Sequence, residues 1–353
     1  MTKQLLTASR SAKLLGCPRA HFWSYERGLK RVDSGPALRF GSAWHRAMEA
    51  RWLGKDYDNA LGAALPDNVD LDPVQAETLA SLLMAYYHRY GASDELVSQV
   101  FPEVEFKQDL QASRSFFSAG KIDGLAKLKD GRVAIVEHKT TSDDVSPASE
   151  YWTRLRFNPQ LLQYVGAARQ LNWPVEVAIY DVVRKPAISP KLIPLLDSEG
   201  RKIVHDAQGN RVIKKDGTPR ESGDTAAGYT LQTRVETPEE FGQRLYTDAL
   251  ERPDFYFSRR EVPILDQDLD EFAAQRISVS RMILSCRSEE RRAKRPEQAW
   301  PRAVGQACGY CEYSSFCLQN ITPDLNAPPA GFRVGPANPE LTNADTTRTT
   351  PTN

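Results

Sequence analysis

Residues 119–127 can form one strand, Val133 to Lys139 is a β-branched apolar run with a polar end that fits a second, and Lys129-Asp130-Gly131-Arg132 between them has the composition of a turn. This pattern predicts two strands of one hairpin. Elsewhere the spacing is helical. Residues 9–15 and 18–25 read as short helices and 40–53 as a longer one, while Asp72-Pro73 opens a helix with a core stripe of Val74, Leu79, Leu82, Leu83, Tyr86, Tyr87 and Tyr90. Further strands are expected near 100–107, 116–128, 132–139 and 175–184, with a helix after Phe157-Asn158-Pro159. The order describes an α/β chain with a helical part over 1–95 and a mixed core over 96–322. Residues 186–229, rich in Gly, Lys, Asp and Arg, interrupt that core as an insertion of extended hairpins and mobile loop. Beyond Thr322 large apolar residues give way to Pro, Thr and Asn, so 323–353 is expected to be a disordered tail.

The hairpin carries the candidate chemistry. Alternate residues of a strand share a face, so Glu137 and Lys139 point one way and His138 the other, with Asp123 on the neighbouring strand. Two carboxylates and an ammonium then converge at one end of a sheet. Carboxylates suit Mg²⁺ or Mn²⁺, which prefer hard oxygen ligands, and Lys139 would orient or help deprotonate an attacking water. Glu105, on the preceding strand, is expected to face the same site. Gln160 and Tyr164 stand four apart on the following helix and share one of its faces.

Composition adds limits more than detail. The 353 residues hold 46 basic and 46 acidic side chains, and no apolar run approaches a membrane span, which fits a soluble, cytoplasmic protein. Local charge is uneven. Residues 1–31 carry Lys3, Arg10, Lys13, Arg19, Arg27, Lys30 and Arg31 against Glu26 alone, and a second basic run spans 287–295. Brought together, the two runs would form a phosphate-tracking surface. Five cysteines, an odd number, and no signal-peptide pattern argue against extracellular disulfides. Cys308-x2-Cys311-x5-Cys317 suits iron or zinc equally, and Cys286 reads as an ordinary helix thiol. No phosphate-binding Gly-x4-Gly-Lys-Ser/Thr loop occurs, so a helicase motor is not expected within this chain.

With Ile122-Asp123 ahead of Glu137-His138-Lys139, the sequence resembles the PD-(D/E)XK nuclease superfamily, whose site is an Asp on one strand and Glu-x-Lys on the next. Gly41-Ser-Ala-Trp-His45 and Gln160-Leu-Leu-Gln-Tyr164 resemble the Gly-x-x-x-His and Gln-x-x-x-Tyr motifs of its RecB-like branch. Cys17, Cys308, Cys311 and Cys317 resemble the iron–sulfur subgroup, which includes AddB-type subunits and CRISPR-associated exonucleases. The resemblance implies a restriction-endonuclease-like core, a mixed central sheet flanked by helices, with a [4Fe–4S] staple joining the chain ends. It implies catalysis by Asp123, Glu137 and Lys139, and Mg²⁺ or Mn²⁺ held by His45, Asp123, Glu137 and the His138 backbone carbonyl. Gln160 and Tyr164 would position Lys139 and the scissile strand. The implied protein is a phage or bacterial DNA exonuclease favouring single-stranded ends, working with a separate helicase or recombination protein. Two alternatives stay open: a catalytically idle DNA-binding scaffold, and a zinc ion in the four-cysteine site.

Overall fold

The computed structural model describes residues 3–33, 35–66, 70–91, 96–155, 157–339 and 341. The chain opens with β1 (Gln4–Leu6), α1 (Ala8–Gly16), α2 (Pro18–His21), a π-helical turn at Phe22–Glu26 and β2 (Leu29–Arg31). The single helix expected over 18–25 therefore splits. Three helices follow, α3 (Pro36–Trp52), α4 (Tyr57–Ala64) and α5 (Pro73–Tyr90), then three long strands, β3 (Val97–Asp109), β4 (Phe116–Leu128) and β5 (Val133–Thr141). Next come α6 (Glu150–Leu155), α7 (Pro159–Gln170) and β6 (Val175–Arg184). Residues 186–229 contribute β7 (Leu192–Pro194) and β8 (Val204–His205), and β9 (Thr230–Leu231) and β10 (Thr233–Val235) follow just beyond them. The chain closes with α8 (Pro238–Glu251), α9 (Pro253–Tyr256), β11 (Phe257–Pro263), α10 (Asp266–Glu290), α11 (Ser314–Gln319) and β12 (Phe332–Val334).

Caps explain several boundaries. Asp72 accepts the Gln75 N–H (2.9 Å) to start α5, and Asn158 accepts the Gln160 N–H (2.9 Å) to start α7, each with proline at the first helical position. The second cap also fixes Gln160 in the first turn, where the site needs it.

Six strands form one mixed sheet flanked by helices, as the resemblance implies. β4 is its centre: β3 runs antiparallel along one edge, while the other edge pairs with parallel β1 over Phe116–Ser118 and with antiparallel β5 over Gly124–Lys127. Parallel β6 and antiparallel β11 extend the sheet from β5. Along β5, Ala134 and Val136 pack with Trp52 of α3, whereas Val133 and Ile135 pack with Leu161, Tyr164 and Val165 of α7. That alternation decides where the next residues point.

A separate apolar core joins the chain ends. Leu6, Leu14, Phe22, Trp23 and Leu29 pack with Val279, Ile283, Trp300, Tyr313 and Phe316. Arg19 Nε donates to Trp300 O (2.9 Å), Tyr313 OH to Leu29 O (2.7 Å), and Lys13 pairs with Glu312 (2.7 Å). The ends are thus fastened by apolar and ionic contacts.

Two expectations need correction. The basic runs do meet, but around shared acids: Glu26 pairs with Arg10 and Arg287 (both 2.8 Å) and Glu290 with Arg27, so these charges are consumed internally. The stretch expected to be a disordered tail includes β12, which pairs with β2, and Leu325 and Phe332, which pack on the core of the chain ends. Of that stretch, residue 340 and residues 342–353 lie outside the described residues. The strands within 186–229 pair with those just beyond it, β7 with β10 and β8 with β9, both antiparallel.

Candidate active site

The site lies where β4 changes neighbour. Its pairing with β1 ends at Ser118 and its pairing with β5 begins at Gly124, so 119–123 have no ladder partner on that edge among the described residues. The next rung would join Asp123 to Glu137. Instead the strands part, and the His138 N–H donates to Asp123 Oδ2 (3.1 Å). Asp123 is 9% and Glu137 1% exposed. Such burial is costly for carboxylates without a cation nearby.

Lys139 points to the same face as Glu137, as the alternation predicts. Its Nζ donates to Glu137 Oε1 and to Gln160 Oε1 (3.0 Å), and Gln160 Nε2 donates to Tyr164 OH (2.9 Å). From the other side α3 delivers His45, whose Nδ1 lies 3.3 Å from Asp123 Oδ2. The Gly-x-x-x-His and Gln-x-x-x-Tyr residues are thus brought to one place. A cavity of about 600 Å³ opens above them, lined among others by His45, Glu103, Asp123, Lys139, Gln160 and Tyr164.

Glu103 fills the place expected for Glu105. It sits on β3 opposite Asp123, with φ of 55°, between the rungs Pro102↔Gly124 and Val104↔Ile122. Glu103 and Glu105 are two apart and alternation alone does not separate them; register does, because Glu105 lies opposite Lys121. His45, Glu103 and Asp123 offer ligand atoms within 4.8 Å of one another, and Lys121 pairs with Glu103. Glu49, one turn after His45, also lines the cavity and was detectable as an i,i+4 neighbour.

His138 turns to the opposite face. Trp52 Nε1 donates to His138 Nε2 (2.8 Å), which makes Nε2 an acceptor and puts the ring proton on Nδ1, 3.3 Å from Asp181 Oδ2. Asp181 also receives Tyr86 OH and faces Arg259 Nε at 3.3 Å. Burial would raise this carboxyl, but Arg259, His138 and Tyr86 hold it well below the usual range. Sequence reasoning missed this network, which buttresses β5 from behind. Only the His138 backbone remains beside the carboxylates.

The electrostatics follow from crowding. Burial and the charge of Asp123 push Glu137 up to about 7, against the pull of Lys139. Burial opposes the charge on Asp123, but the hydrogen bond and charge of His45, together with the charges of His138 and Lys139, outweigh it and keep Asp123 below its ordinary value. Burial likewise works against protonated His45 and Lys139, yet Asp123 and Glu137 respectively more than offset it and raise both. Lys139 is therefore an ammonium at neutral pH, suited to orienting a water and offsetting charge more than to taking a proton.

Gly120 makes the geometry possible. A Cβ there would lie 2.9 Å from the Phe106 ring and 3.1 Å from Tyr164 Cε1. Gly120→Ala should displace Tyr164, cost about 1–3 kcal/mol by overpacking, and slow turnover; chemical denaturation read by fluorescence checks the first part.

The donor set suits a hard divalent ion: carboxylates and one imidazole, with Glu137 Oε2 buried and lacking a hydrogen-bond partner. The cysteines are different. Cys17 and Cys311 are near enough that burial first, then Cys17, raises the Cys311 thiol, and Cys317 and Cys17 both act on Arg19. Among the described residues, however, no three sulfurs lie within 4.8 Å of one another. Cys286 packs against the core of the chain ends.

Comparison with known proteins agrees with the site. No curated protein matches the chain. The solved structure of SSO0001 resembles it at 10% identity over 91% of this chain and 89% of that one, with a TM-score of 0.33, too low to carry an argument. The PD-(D/E)XK nuclease superfamily matches residues 5–318. With Asp123, Glu137 and Lys139 gathered at the break between β4 and β5, the chain belongs to the PD-(D/E)XK nuclease superfamily.

Proposed function

We propose that the protein is a Mg²⁺- or Mn²⁺-dependent deoxyribonuclease, acting as an exonuclease on single-stranded ends in DNA recombination, repair or replication. The observation that carries this reading is the buried pair Asp123 and Glu137 facing each other across the opened ladder with Lys139 between Glu137 and Gln160. Asp123, Glu137, His45 and the His138 carbonyl would hold the ion, with Glu103 added to that set. A bound divalent ion supplies Lewis acidity, lowering the pKa of a water and offsetting phosphate charge. Lys139 orients the nucleophile, Gln160 holds Lys139, and Tyr164 holds Gln160. The buried carboxylates Asp123 and Glu137 also argue against an idle scaffold, because buried like charges cost stability that a scaffold gains nothing by spending. The working surroundings would be cytoplasmic, in a bacterium or phage-infected cell, beside a separate helicase or recombination protein.

The decisive experiment uses single- and double-stranded DNA labelled at either end, with Mg²⁺, Mn²⁺ or EDTA. Metal-dependent release of label from one end establishes nuclease and polarity; binding without cutting under every condition moves the assignment to the scaffold.

The RecB-like reading adds a [4Fe–4S] cluster on Cys17, Cys308, Cys311 and Cys317. Anaerobically purified protein should be brown, absorbing near about 400 nm, and Cys311→Ala should lose the colour and unfold at lower temperature. Colourless protein with stoichiometric zinc would reject the iron cluster.

A further inference from the structure

A second cavity, of about 270 Å³, lies between α7, α10 and the ends of β3 and β4, and none of its described residues lines the catalytic cleft. Its mouth is polar and exposed, with Asp109, Gln111, Gln170 and Asp270. Two other lining side chains are almost wholly enclosed, Arg276 of α10 at 4% and Gln163 of α7 at 3% exposed. Arg276 Nη2 donates to Leu6 O (2.5 Å), while Nε and Nη1 are buried and have no acceptor. Gln163 Nε2 donates to Ala119 O (2.9 Å) and reaches the same Leu6 O (3.5 Å), so the two heads adjoin. A carbonyl oxygen only accepts, which fixes the amide and leaves Gln163 Oε1 as a buried acceptor without a donor.

An unpaired buried charge is costly, so an enclosed guanidinium ordinarily faces a carboxylate. None answers Arg276 among the described residues: burial alone bears on it, bringing it down to about 10, and it stays charged at neutral pH. Asp109 is exposed and paired with Lys3, and Asp270 stands at the mouth, where solvent screens it. Phe272 has its ring centroid 5.8 Å from Arg276 Cζ but offers no lone pair to the two N–H groups. The tie to Leu6 O uses one of five donors, so fastening β1 to α10 does not explain the others.

Orphan donors on a cation, with an orphan acceptor beside them, call for an anion that keeps a proton. A volume just under the roughly 300–1,000 Å³ of drug-sized pockets makes it a small one. Carboxylates and sulfate carry no proton at neutral pH, and a phosphomonoester loses its last one above about pH 6. Hydrogen phosphate keeps one throughout this range. We propose that the cavity is a binding site for hydrogen phosphate, with the Arg276 guanidinium donating to its oxygens and its O–H donating to Gln163 Oε1. The site stands behind α7, which presents Gln160 and Tyr164 to the catalytic cleft, so an ion there braces the helix that holds Lys139. The assignment does not depend on the nuclease reading.

The test is isothermal calorimetry on the full-length protein at about pH 8, above the last ionisation of a phosphomonoester. Inorganic phosphate, sulfate and thymidine 5′-monophosphate are titrated in turn at matched ionic strength, with and without EDTA. Phosphate should bind saturably with a Kd of about 1 mM or below, and EDTA should not change it, because the cavity is apart from the catalytic cleft. Sulfate and the nucleotide should bind at least about tenfold more weakly, since each leaves Gln163 Oε1 without a donor. Arg276→Lys, which keeps the charge and a donor for Leu6 O, should weaken phosphate at least about tenfold. Arg276→Met should abolish binding, with melting in phosphate-free buffer as the fold control. The comparison of anions on wild type needs no variant and decides the matter if either one fails to fold. Uptake that does not saturate, an adventitious ion only, overturns the site, and so does binding undiminished in Arg276→Lys and Arg276→Met. Sulfate or the nucleotide binding as tightly as phosphate overturns the assignment to hydrogen phosphate, because Gln163 then takes no part.

Discussion

Lys139→Ala should abolish DNA cleavage while leaving the fold and DNA binding in place. Lys139 is the ammonium that touches Glu137 at the break between β4 and β5, and Gln160 holds its other side. Because Glu137 raises it, it stays protonated near neutral pH and serves as a preorganised cation aimed at the developing charge. Losing one such group costs a factor of about 10²–10³ in kcat at least. The fold should tolerate the loss. Glu137 is already raised to about 7, and without Lys139 it takes up a proton instead of remaining a bare buried charge. Lys139→Arg should not rescue activity, because a longer, planar guanidinium cannot reproduce a point charge seated between Glu137 and Gln160. Gln160→Ala should slow cutting less than Lys139→Ala, since it acts only through Lys139. Single-turnover cleavage, with thermal melting as the fold control, measures all three. Cutting by Lys139→Ala at the wild-type rate would remove the site from this part of the sheet.

Much of this site was legible because strands repeat with period two. The side chains of 133–139 alternate as counted, so Glu137 and Lys139 share a face while His138 meets Trp52 and Asp181. Helical spacing likewise placed Gln160 beside Tyr164. Glu103 escaped because it has the same parity as Glu105, and only the register of β3 against β4 shows which of the two stands opposite Asp123. The basic runs misled for another reason: Glu26 and Glu290 lie far from several of their partners in sequence, and only the fold of the chain ends brings them together. α10 had a faint signature, since its buried positions are only Arg276, Val279, Ser280 and Ile283, too sparse for an apolar stripe. β12 is three residues long and gains its order from Tyr313 and Phe316, so composition alone described it as tail.

The face of β5 that carries no chemistry matters as much as the face that does. His138 is locked between Trp52 and Asp181, and Asp181 is held by Tyr86 and Arg259. A buried network of this kind, with Asp181 facing His138, Tyr86 and Arg259 together, fixes the strand that carries Glu137 and Lys139. It also keeps the His138 side chain away from the ion, so that the Glu-x-Lys triplet presents its middle residue only through the backbone.

Metal binding should strengthen steeply with pH up to about 7, because Glu137 and His45 must both give up protons to act as ligands. Glu137 rises from the ordinary 4.5 to about 7 in the metal-free fold, through burial and then Asp123. A folded-state value above the unfolded one means that the folded protein binds the extra proton between them. This contribution to stability is fully present below pH 4.5 and is lost as pH climbs through about 7. His45 acts in the same direction, since its raised value also favours the proton-bound folded state until pH passes it. Metal-free protein should therefore melt at a lower temperature at pH 8 than at about pH 5.5, with the difference set by these two groups. A divalent ion reverses the order. Each proton that must leave costs about tenfold in apparent affinity per pH unit below the group's pKa, so Mn²⁺ should raise the melting temperature little at low pH and strongly at pH 8. Glu137→Gln separates the two contributions: it removes the carboxylate ligand and its titration, so stability without metal should fall less across neutral pH and the Mn²⁺ shift should collapse. Calorimetric Mn²⁺ titrations of wild type and Glu137→Gln decide the matter, and an affinity unchanged between pH 5.5 and 8 in wild type would mean that these buried groups do not hold the ion.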